Sequence, residues 1–239
     1  MNHSPNRILA ALSESAYAAL LPYLKIIEFK PGMTPSDVGS VINKVYFPHT
    51  GIISLVVELD TGEMVETAMV GRDGVVNAGG ALDGRVSLNK AIVQMAGVGS
   101  VISPTDLVKV ADSNHNFRAL LIRHEQVLFA QAQQSVACNA RHVVESRTCR
   151  WLLRTRDLAK SDDLLITQEH LAQMLGVRRT SLSMVAKTLQ RAGLIRYKRG
   201  HVRILDVKGL RQIACECYEA VNDHYERLLH PEKSLNPLA

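Results

Sequence analysis

Residues 166–193 read ITQEHLAQMLGVRRTSLSMVAKTLQRAG, with apolar side chains at helical spacing on both sides of Gly176. These apolar positions are Leu171, Leu175, Leu182 and Val185. Glycine adopts a positive φ without steric cost, and a short turn between two crossing helices requires such a residue. The pattern therefore predicts a helix-turn-helix with these four residues as its core.

The neighbouring positions fit the same motif. Ala172 is small enough for a second helix to cross the first, and Thr167 can cap the first helix. The second helix is predicted from about Arg178 to Ala192, with Leu182, Val185, Ala186 and Leu189 on its buried side. Its outer side would reach base edges in the major groove. The DNA-contacting residues predicted for the motif are Thr167, Arg178, Arg179, Thr180, Ser183, Met184 and Lys187.

Residues 193–206, GLIRYKRGHVRILD, alternate apolar and polar side chains around a glycine-containing turn, which predicts a β-hairpin. A basic hairpin after a helix-turn-helix is typical of a wing that lies along the phosphate backbone. Its predicted contacts are Lys198, Arg199 and His201. Residues 166–205 hold eight Lys or Arg and one Glu, whereas an ordinary solvated face would mix the two signs.

The first half of the chain has a different composition and a different pattern of apolar residues. Residues 25–103 contain short runs rich in β-branched residues, separated by turn sequences such as DTG and GRDG. Eleven of the fifteen glycines lie between Gly32 and Gly99. This spacing predicts a small antiparallel barrel or sandwich. A short helix is predicted before it, within residues 6–21.

Residues 117–144 lack Gly and Pro and carry apolar or small side chains at near-heptad spacing. A helix of about 28 residues spans ~42 Å, longer than a domain of this size needs internally. We interpret it as a dimerisation helix, and a helix packed on the surface of its own domain is the alternative. The stripe comprises positions 117, 121, 128, 132, 136, 140 and 143.

Charge and composition bound the function further. Residues 1–110 carry 8 Lys or Arg and 10 Asp or Glu, whereas residues 111–239 carry 20 and 13, so the back half fits a polyanionic partner. No apolar run approaches the ~20 residues that cross a bilayer. The early run ILAAL has no cleavage-like site after it. The sequence predicts a cytoplasmic protein without membrane contact and with reduced cysteines.

The order of these parts resembles the CRP/FNR family of bacterial transcription regulators. The resemblance is most specific in ITQEHLAQMLGVRRTSLSMVAKTLQRAGLIRYKRGHVRILD and weaker in the turn pattern TGE…GRDGVV. It implies an α+β fold with an N-terminal antiparallel β-roll of the double-stranded β-helix or jelly-roll type, a long dimerisation helix and a C-terminal winged helix-turn-helix. It also implies a homodimer, not an enzyme, that binds a pseudo-palindromic operator in double-stranded DNA and works with RNA polymerase.

On this basis the chain divides into four segments. Residues 1–112 are a cyclic-nucleotide-binding-like sensor domain, and residues 113–143 are the dimerisation helix. Residues 144–211 are the winged helix-turn-helix, and residues 212–239 are a C-terminal helix and tail.

The pocket motif departs from that of cyclic-nucleotide binders in the family. Those proteins use a Gly-Glu-Leu run, whose Glu holds the ribose, and a later Arg that neutralises the cyclic phosphate. Here Asn77 and Ala78 replace the Gly-Glu pair, and Asn89 and Lys90 replace the Arg and the residue after it. Lysine is at best a point charge in place of a guanidinium. These residues are the candidate effector pocket; cyclic AMP is not the expected ligand, and an unknown small molecule or no ligand is expected instead.

The recognition helix also departs from the family. Arg179 matches the first Arg of the frequent Arg-Glu-x-x-x-Arg pattern, but Thr180 and Met184 replace the Glu and the second Arg. The operator is therefore expected to differ from a TGTGA-like half-site, with Arg178 and Ser183 as further contacts.

No cofactor is predicted. The family's oxygen sensors hold an iron–sulfur cluster on N-terminal cysteines, and this chain has no cysteine before Cys138; no haem signature is evident either. Cys215 and Cys217 are expected on one helix, facing different directions, as structural thiols rather than metal ligands. Two other functions remain as alternatives. The β-roll could be a ligand-free protein-interaction module, or a cupin-like enzyme, for which residues 25–103 show no convergent ligands.

Overall fold

The structure, a computed structural model, describes residues 4–230. Two short helices and a 3-10 turn precede an antiparallel β-roll: α1 (Arg7–Ala10), α2 (Glu14–Leu20) and the turn Leu21–Tyr23. The strands of the roll are β1 (Lys25–Phe29), β2 (Val45–Pro48), β3 (Ile52–Glu58), β4 (Met64–Val70), β5 (Lys90–Met95) and β6 (Gly97–Ile102). The antiparallel β-roll predicted from the sequence is confirmed.

Two three-stranded sheets form the roll, in the orders β1-β6-β2 and β4-β3-β5. The central strand β3 is buried along its first five residues, because both of its faces are covered. Ile53 and Leu55 face the core of the roll, whereas Ile52 and Val56 pack against helices of the C-terminal part. This double burial explains why β3 carries apolar side chains on both faces, with Ser54 as the polar exception.

A short helix, α3 (Ala78–Leu82), lies between β4 and β5. Asn77 precedes it with a φ of 71°, in the left-handed region that asparagine tolerates. Its side-chain oxygen accepts a hydrogen bond from the Ser36 hydroxyl at 2.9 Å, and its amide donates to the Lys44 carbonyl at 3.2 Å. These bonds fix the segment that borders the cavity of the roll.

Helix α4 (Pro104–Ser113) leads into the long helix α5 (His115–Arg141). The Asn114 side chain caps α5 by accepting a hydrogen bond from the Phe117 backbone N–H at 2.9 Å. One face of α5 is buried against the roll. Its buried apolar residues are Phe117, Leu120, Leu121, Val127 and Leu128.

The opposite face of α5 carries a second apolar row, which we name the heptad row. Its members recur every seven residues and continue just past the helix: Ile122, Phe129, Val136 and Val143, exposed by 48%, 66%, 69% and 67%. The stripe read from the sequence was therefore wrong in its first part. Positions 117, 121 and 128 belong to the core of the roll, which the helical period alone could not reveal.

The C-terminal part begins with α6 (Val144–Ala159). It continues as β7 (Asp163–Leu165), α7 (Gln168–Met174), α8 (Arg179–Arg191), β8 (Ile195–Lys198), β9 (His201–Ile204) and α9 (Val207–Ile213). The three strands form a small sheet in the order β7-β9-β8. The winged helix-turn-helix predicted from the sequence is confirmed, and β7 is an additional strand that the sequence did not indicate.

The last helix, α10 (Cys217–Leu229), lies along α5. Val221, Tyr225 and Leu228 join the core that the roll shares with α5, and the Tyr225 hydroxyl donates to Gln131 Oε1 at 3.2 Å. Residues 231–239, the end of the predicted C-terminal segment, lie outside the described residues.

Helix α6 holds the C-terminal part on the roll. Arg154 and Asp73 form a buried ion pair, with Nη2 and Oδ2 2.5 Å apart. Trp151 Nε1 donates to Glu66 Oε1 on β4 at 3.0 Å. We call the part of the chain from α6 to α9, residues 144–213, the winged module. It therefore rests on the sheet β4-β3-β5 through α6.

Candidate nucleic-acid interface

Residues 175–178 form the turn between α7 and α8. Gly176 has a φ of 61°, and a Cβ at this position would lie 3.2 Å from the Val65 side chain on β4. The positive φ favours glycine, and the near approach of Val65 adds a tight contact for any larger residue. The Thr167 hydroxyl accepts a hydrogen bond from the His170 backbone N–H at 3.1 Å, and it caps α7 as its sequence position predicted.

Helix α8 has a buried side and an exposed side. Leu182, Ala186 and Leu189 are buried, and Val185 is half-buried. Most residues predicted to contact DNA are exposed: Thr167, Arg178, Arg179, Thr180, Met184 and Lys187. Ser183 is half-buried, and its hydroxyl donates to Gln168 Oε1 at 2.7 Å, so this group already has a partner inside the motif.

The cations of α8 are available to a ligand. Within residues 4–230, no ion pair involves Arg178, Arg179 or Lys187. The first turn of α8 borders a cleft of about 500 Å³ against the β3–β4 hairpin, lined by Glu63 and Glu169 among others. The positive end of the recognition helix thus opens onto solvent beside the roll.

The wing is a tight hairpin of β8 and β9. Arg199 and Gly200 connect the strands with φ values of 48° and 81°, the two positive φ angles of a type I′ turn. Lys198 pairs with His201 across the strands. Lys198, Arg199 and His201 are all exposed, so the turn presents its basic side chains to solvent.

Tyr197 anchors the wing to the helix-turn-helix. Its hydroxyl donates to the Ile166 carbonyl at 2.7 Å, and its backbone N–H donates to Gln190 Oε1 at 2.9 Å. Burial raises the pKa of Tyr197, which keeps the phenol protonated as a donor. Arg203 Nε on β9 lies 3.7 Å from Asp163 Oδ1 on β7. The carboxylate of Asp163 therefore partly offsets the positive charge of Arg203.

A cavity of about 560 Å³ lies at the roll, between β3, α3, the residues 86–89 that precede β5, and α5. Of the predicted effector residues, Asn77 and Asn89 line it. Ala78 is fully buried at the start of α3, and Lys90 forms an ion pair with Glu58; neither lines the cavity.

Helix α5 contributes an acid to this cavity that sequence reasoning missed. Glu125 Oε1 accepts a hydrogen bond from the Gly79 backbone N–H at 2.9 Å, and burial raises the pKa of this carboxyl. Asp83 also lines the cavity, whereas none of its described lining residues is Lys, Arg or His. No sequence pattern pointed to Glu125, because it lies 46 residues from Gly79.

Cys215 and Cys217 lie at the junction of α9 and α10, not on one helix as the sequence suggested. Cys215 is in the connection and Cys217 is the first residue of α10, so both thiols turn toward the end of α5. They meet Cys138 and His142 there. The expectation of divergent thiols was wrong because a break in the helix separates the two residues.

Comparisons with known proteins support this architecture. Residues 146–213 match the Crp-like helix-turn-helix domain. A comparison with curated protein sequences gives no match. The solved structure of FixK2 from Bradyrhizobium japonicum superposes with a TM-score of 0.69 at 14% identity, covering 80% of this chain and 98% of that one.

Two further structures are similar. TTHB099 from Thermus thermophilus, described as a CRP-family transcriptional regulator, gives a TM-score of 0.65 at 22% identity, over 79% of this chain and 96% of that one. The c-di-GMP-responsive global regulator CLP of Xanthomonas campestris gives 0.65 at 16% identity, over 81% and 100%. At these identities the likeness shows the fold.

Fold and site together define a β-roll protein with a winged helix-turn-helix. The chain carries a Crp-like helix-turn-helix domain and has the fold of the CRP/FNR family of transcription regulators, which confirms the resemblance predicted from the sequence. Among residues 4–230, no helix is both long and apolar enough to span a bilayer.

Proposed function

We propose that this protein is a homodimeric, sequence-specific DNA-binding transcription regulator whose β-roll senses an effector other than cyclic AMP. The observation that carries the proposal is the exposed basic surface of one module. Arg178 at the N-cap of α8, Arg179 and Lys187 on α8, and Lys198 and Arg199 on the wing are all exposed, within residues that match a Crp-like helix-turn-helix domain.

Each element has a distinct role in the proposed complex. The first turns of α8 enter the major groove, where Arg179 can bind a guanine through two hydrogen bonds. The wing lies on the phosphate backbone, where lysine and arginine supply affinity without reading the sequence. Met184 replaces a polar reader by an apolar one, which favours contact with a thymine methyl group.

The heptad row supports the homodimer. Three of its exposed apolar side chains, Ile122, Phe129 and Val136, lie on α5 at intervals of seven and form the proposed seam with a second copy, because this period keeps one edge of each helix facing its partner. Two copies joined through α5 would place their α8 helices ~34 Å apart, one turn of the DNA duplex. The operator is then a pseudo-palindrome.

The charges around the roll cavity indicate the class of effector. Glu125 and Asp83 line it, and none of its described lining residues is Lys, Arg or His, so nothing there would neutralise an anionic cyclic phosphate. The other lining side chains are mostly apolar or amide. We propose an uncharged or cationic effector with an apolar body.

Selection of bound fragments from genomic DNA with the purified full chain tests the function and returns the operator. On that operator, Arg179→Ala is expected to weaken binding by roughly 1–3 kcal/mol, because a bidentate guanine contact is lost. Arg227→Ala, which changes an exposed arginine of α10 outside the helix-turn-helix and the wing, is the matched control and should leave affinity unchanged. Adding cyclic AMP should also leave it unchanged.

The outcomes separate the parts of the proposal. Loss of binding to random and specific DNA alike in Arg179→Ala would make this residue a phosphate contact. Failure to bind any duplex at low salt would refute the DNA-binding function itself.

A further inference from the structure

Four side chains with metal-binding atoms converge where α5 ends and α10 begins. Cys138 is in the last turn of α5, and His142 is the residue that follows the helix, so the two share one face at a spacing of four. Cys215 and Cys217 approach from the α9–α10 junction. One ligand atom from each residue lies within 4.8 Å of every other.

The distances fit a tetrahedral ion. Cys138 Sγ and Cys215 Sγ are 3.6 Å apart, and Cys217 Sγ and His142 Nδ1 are 3.5 Å apart. Around a tetrahedral zinc with Zn–S near 2.3 Å and Zn–N near 2.0–2.1 Å, ligand atoms lie roughly 3.5–3.8 Å from one another. The pairs are thus already at coordination spacing.

The surroundings resemble those of metal ligands more than those of idle thiols. The other ring nitrogen of His142, Nε2, lies 3.2 Å from Glu216 Oε1, and Gln134 Nε2 donates to Cys217 Sγ at 3.0 Å. A carboxylate on the far side of a histidine orients the ring and makes the facing nitrogen a better ligand. The amide donor stabilises a thiolate.

Charge is balanced as well. Three thiolates around a divalent ion leave one negative charge in a largely buried place, which needs a positive neighbour. Arg147 and Arg150 at the start of α6 both act electrostatically on this cluster, through Cys138. These two guanidinium groups supply the compensating charge.

We propose that Cys138, His142, Cys215 and Cys217 bind one zinc ion in a closed, structural Cys₃His site. The soft thiolate set with one imidazole is typical of tetrahedral zinc, and all four positions are filled by protein. Zinc displaces the thiol protons to solvent on binding.

The location gives this site a mechanical role. Cys138 precedes the whole winged module, and Cys215 and Cys217 follow it, so the ion ties the two ends of the module together and to α5. The residues 142 and 143 that link α5 to α6 lie at the same point. The zinc ion thereby fixes the connection about which the DNA-binding part would otherwise turn.

Elemental analysis of the purified full chain tests the proposal directly. We expect about one zinc per chain, retained through desalting, and lost in Cys217→Ser and His142→Ala. Cys149→Ala is the matched control, because Cys149 is a buried cysteine of α6 outside the cluster, and it should keep the zinc. Titration of the metal-free wild-type chain with Co²⁺ should give thiolate charge-transfer bands and the visible bands of a tetrahedral ion.

Glu216→Gln tests whether Glu216 supports the binding of zinc by His142, because a residue that only packs there would not change the zinc affinity. It should weaken zinc binding roughly 10–100-fold in a chelator competition while leaving four reactive thiols after unfolding. The proposal is overturned by a metal-free chain that gives no tetrahedral Co²⁺ spectrum, by a Cys138–Cys215 disulfide found by mass spectrometry, or by iron with acid-labile sulfide.

Discussion

Glu66 connects the β-roll to α6 through Trp151, the single tryptophan of the chain. Its carboxyl accepts hydrogen bonds from the Trp151 indole at 3.0 Å and the Ser54 hydroxyl at 2.5 Å. Burial raises the pKa of Glu66 to about 7, although the Ser54 bond and the positive charges of Arg150 and Arg154 act in the opposite direction. The residue therefore titrates near neutral pH.

This position makes the indole a reporter of one proton. We expect Trp151 fluorescence to titrate with a midpoint near pH 7, and the titration to vanish in Glu66→Gln. Because the folded pKa lies above the ordinary value of 4.5, the fold favours protonated Glu66. Its stability contribution is full below pH 4.5 and is lost as the pH rises through 7.

Urea unfolding at about pH 5.5 and about pH 8 gives the free energy of unfolding of the wild type and of Glu66→Gln. The change between the two pH values in the difference, wild type minus Glu66→Gln, measures the contribution of Glu66. The difference cancels other groups, such as His124, whose pKa burial lowers to about 4. Glu63→Gln, an exposed acid on the same hairpin, is the control. A fluorescence midpoint near pH 4.5 would show that Glu66 is solvated and contradict the prediction.

At the scale of the element, the wing combines local and distant determinants. Its turn follows from Arg199 and Gly200, which both adopt positive φ. Its third strand follows from pairing of β7 with β9, which brings Asp163 to Arg203. Among residues 4–230, Lys198 and Arg199 at the tip form no ion pair, so their charges are free to meet phosphate.

Lys198→Ala is expected to reduce the salt dependence of DNA binding by about one ion, because one phosphate contact releases about one counterion. Fluorescence anisotropy with labelled operator at several salt concentrations measures the slope. Lys30→Ala, an exposed lysine of the roll, should leave it unchanged. An unaltered slope in Lys198→Ala would place the wing outside the interface.

At the scale of the molecule, α5 has two faces with different roles. One face completes the core of the roll, and the other carries the heptad row. Helix α10 lies along α5 and closes part of its remaining surface. A single helix therefore borders the roll cavity through Glu125, contacts α10, and carries the row that we propose as the dimer seam.

Phe129→Glu is expected to convert the dimer to a monomer, because it places a charge in the middle of an apolar seam. Size-exclusion chromatography with light scattering gives the mass. Ile26→Glu changes an equally exposed apolar residue on β1 and should stay dimeric. If Phe129→Glu also remains dimeric, the two copies do not pair through the heptad row of α5. Another interface must then set the distance between the two α8 helices.

The sequence alone determined the helix-turn-helix, its glycine turn, the Thr167 cap and the basic hairpin. Each of these depends on φ preferences, capping bonds and periodicities that act within a few residues. The antiparallel character of the roll could be predicted for the same reason, from short β-branched runs and their turns.

Only the tertiary structure decided which apolar row of α5 is buried, since residues 117, 121 and 128 look no different from the heptad row until the roll is placed against them. It also brought Glu125 to the cavity and Cys138 to Cys215, across 77 residues of chain. Such encounters depend on how separate elements pack, and the spacing of residues along one element carries no information about them.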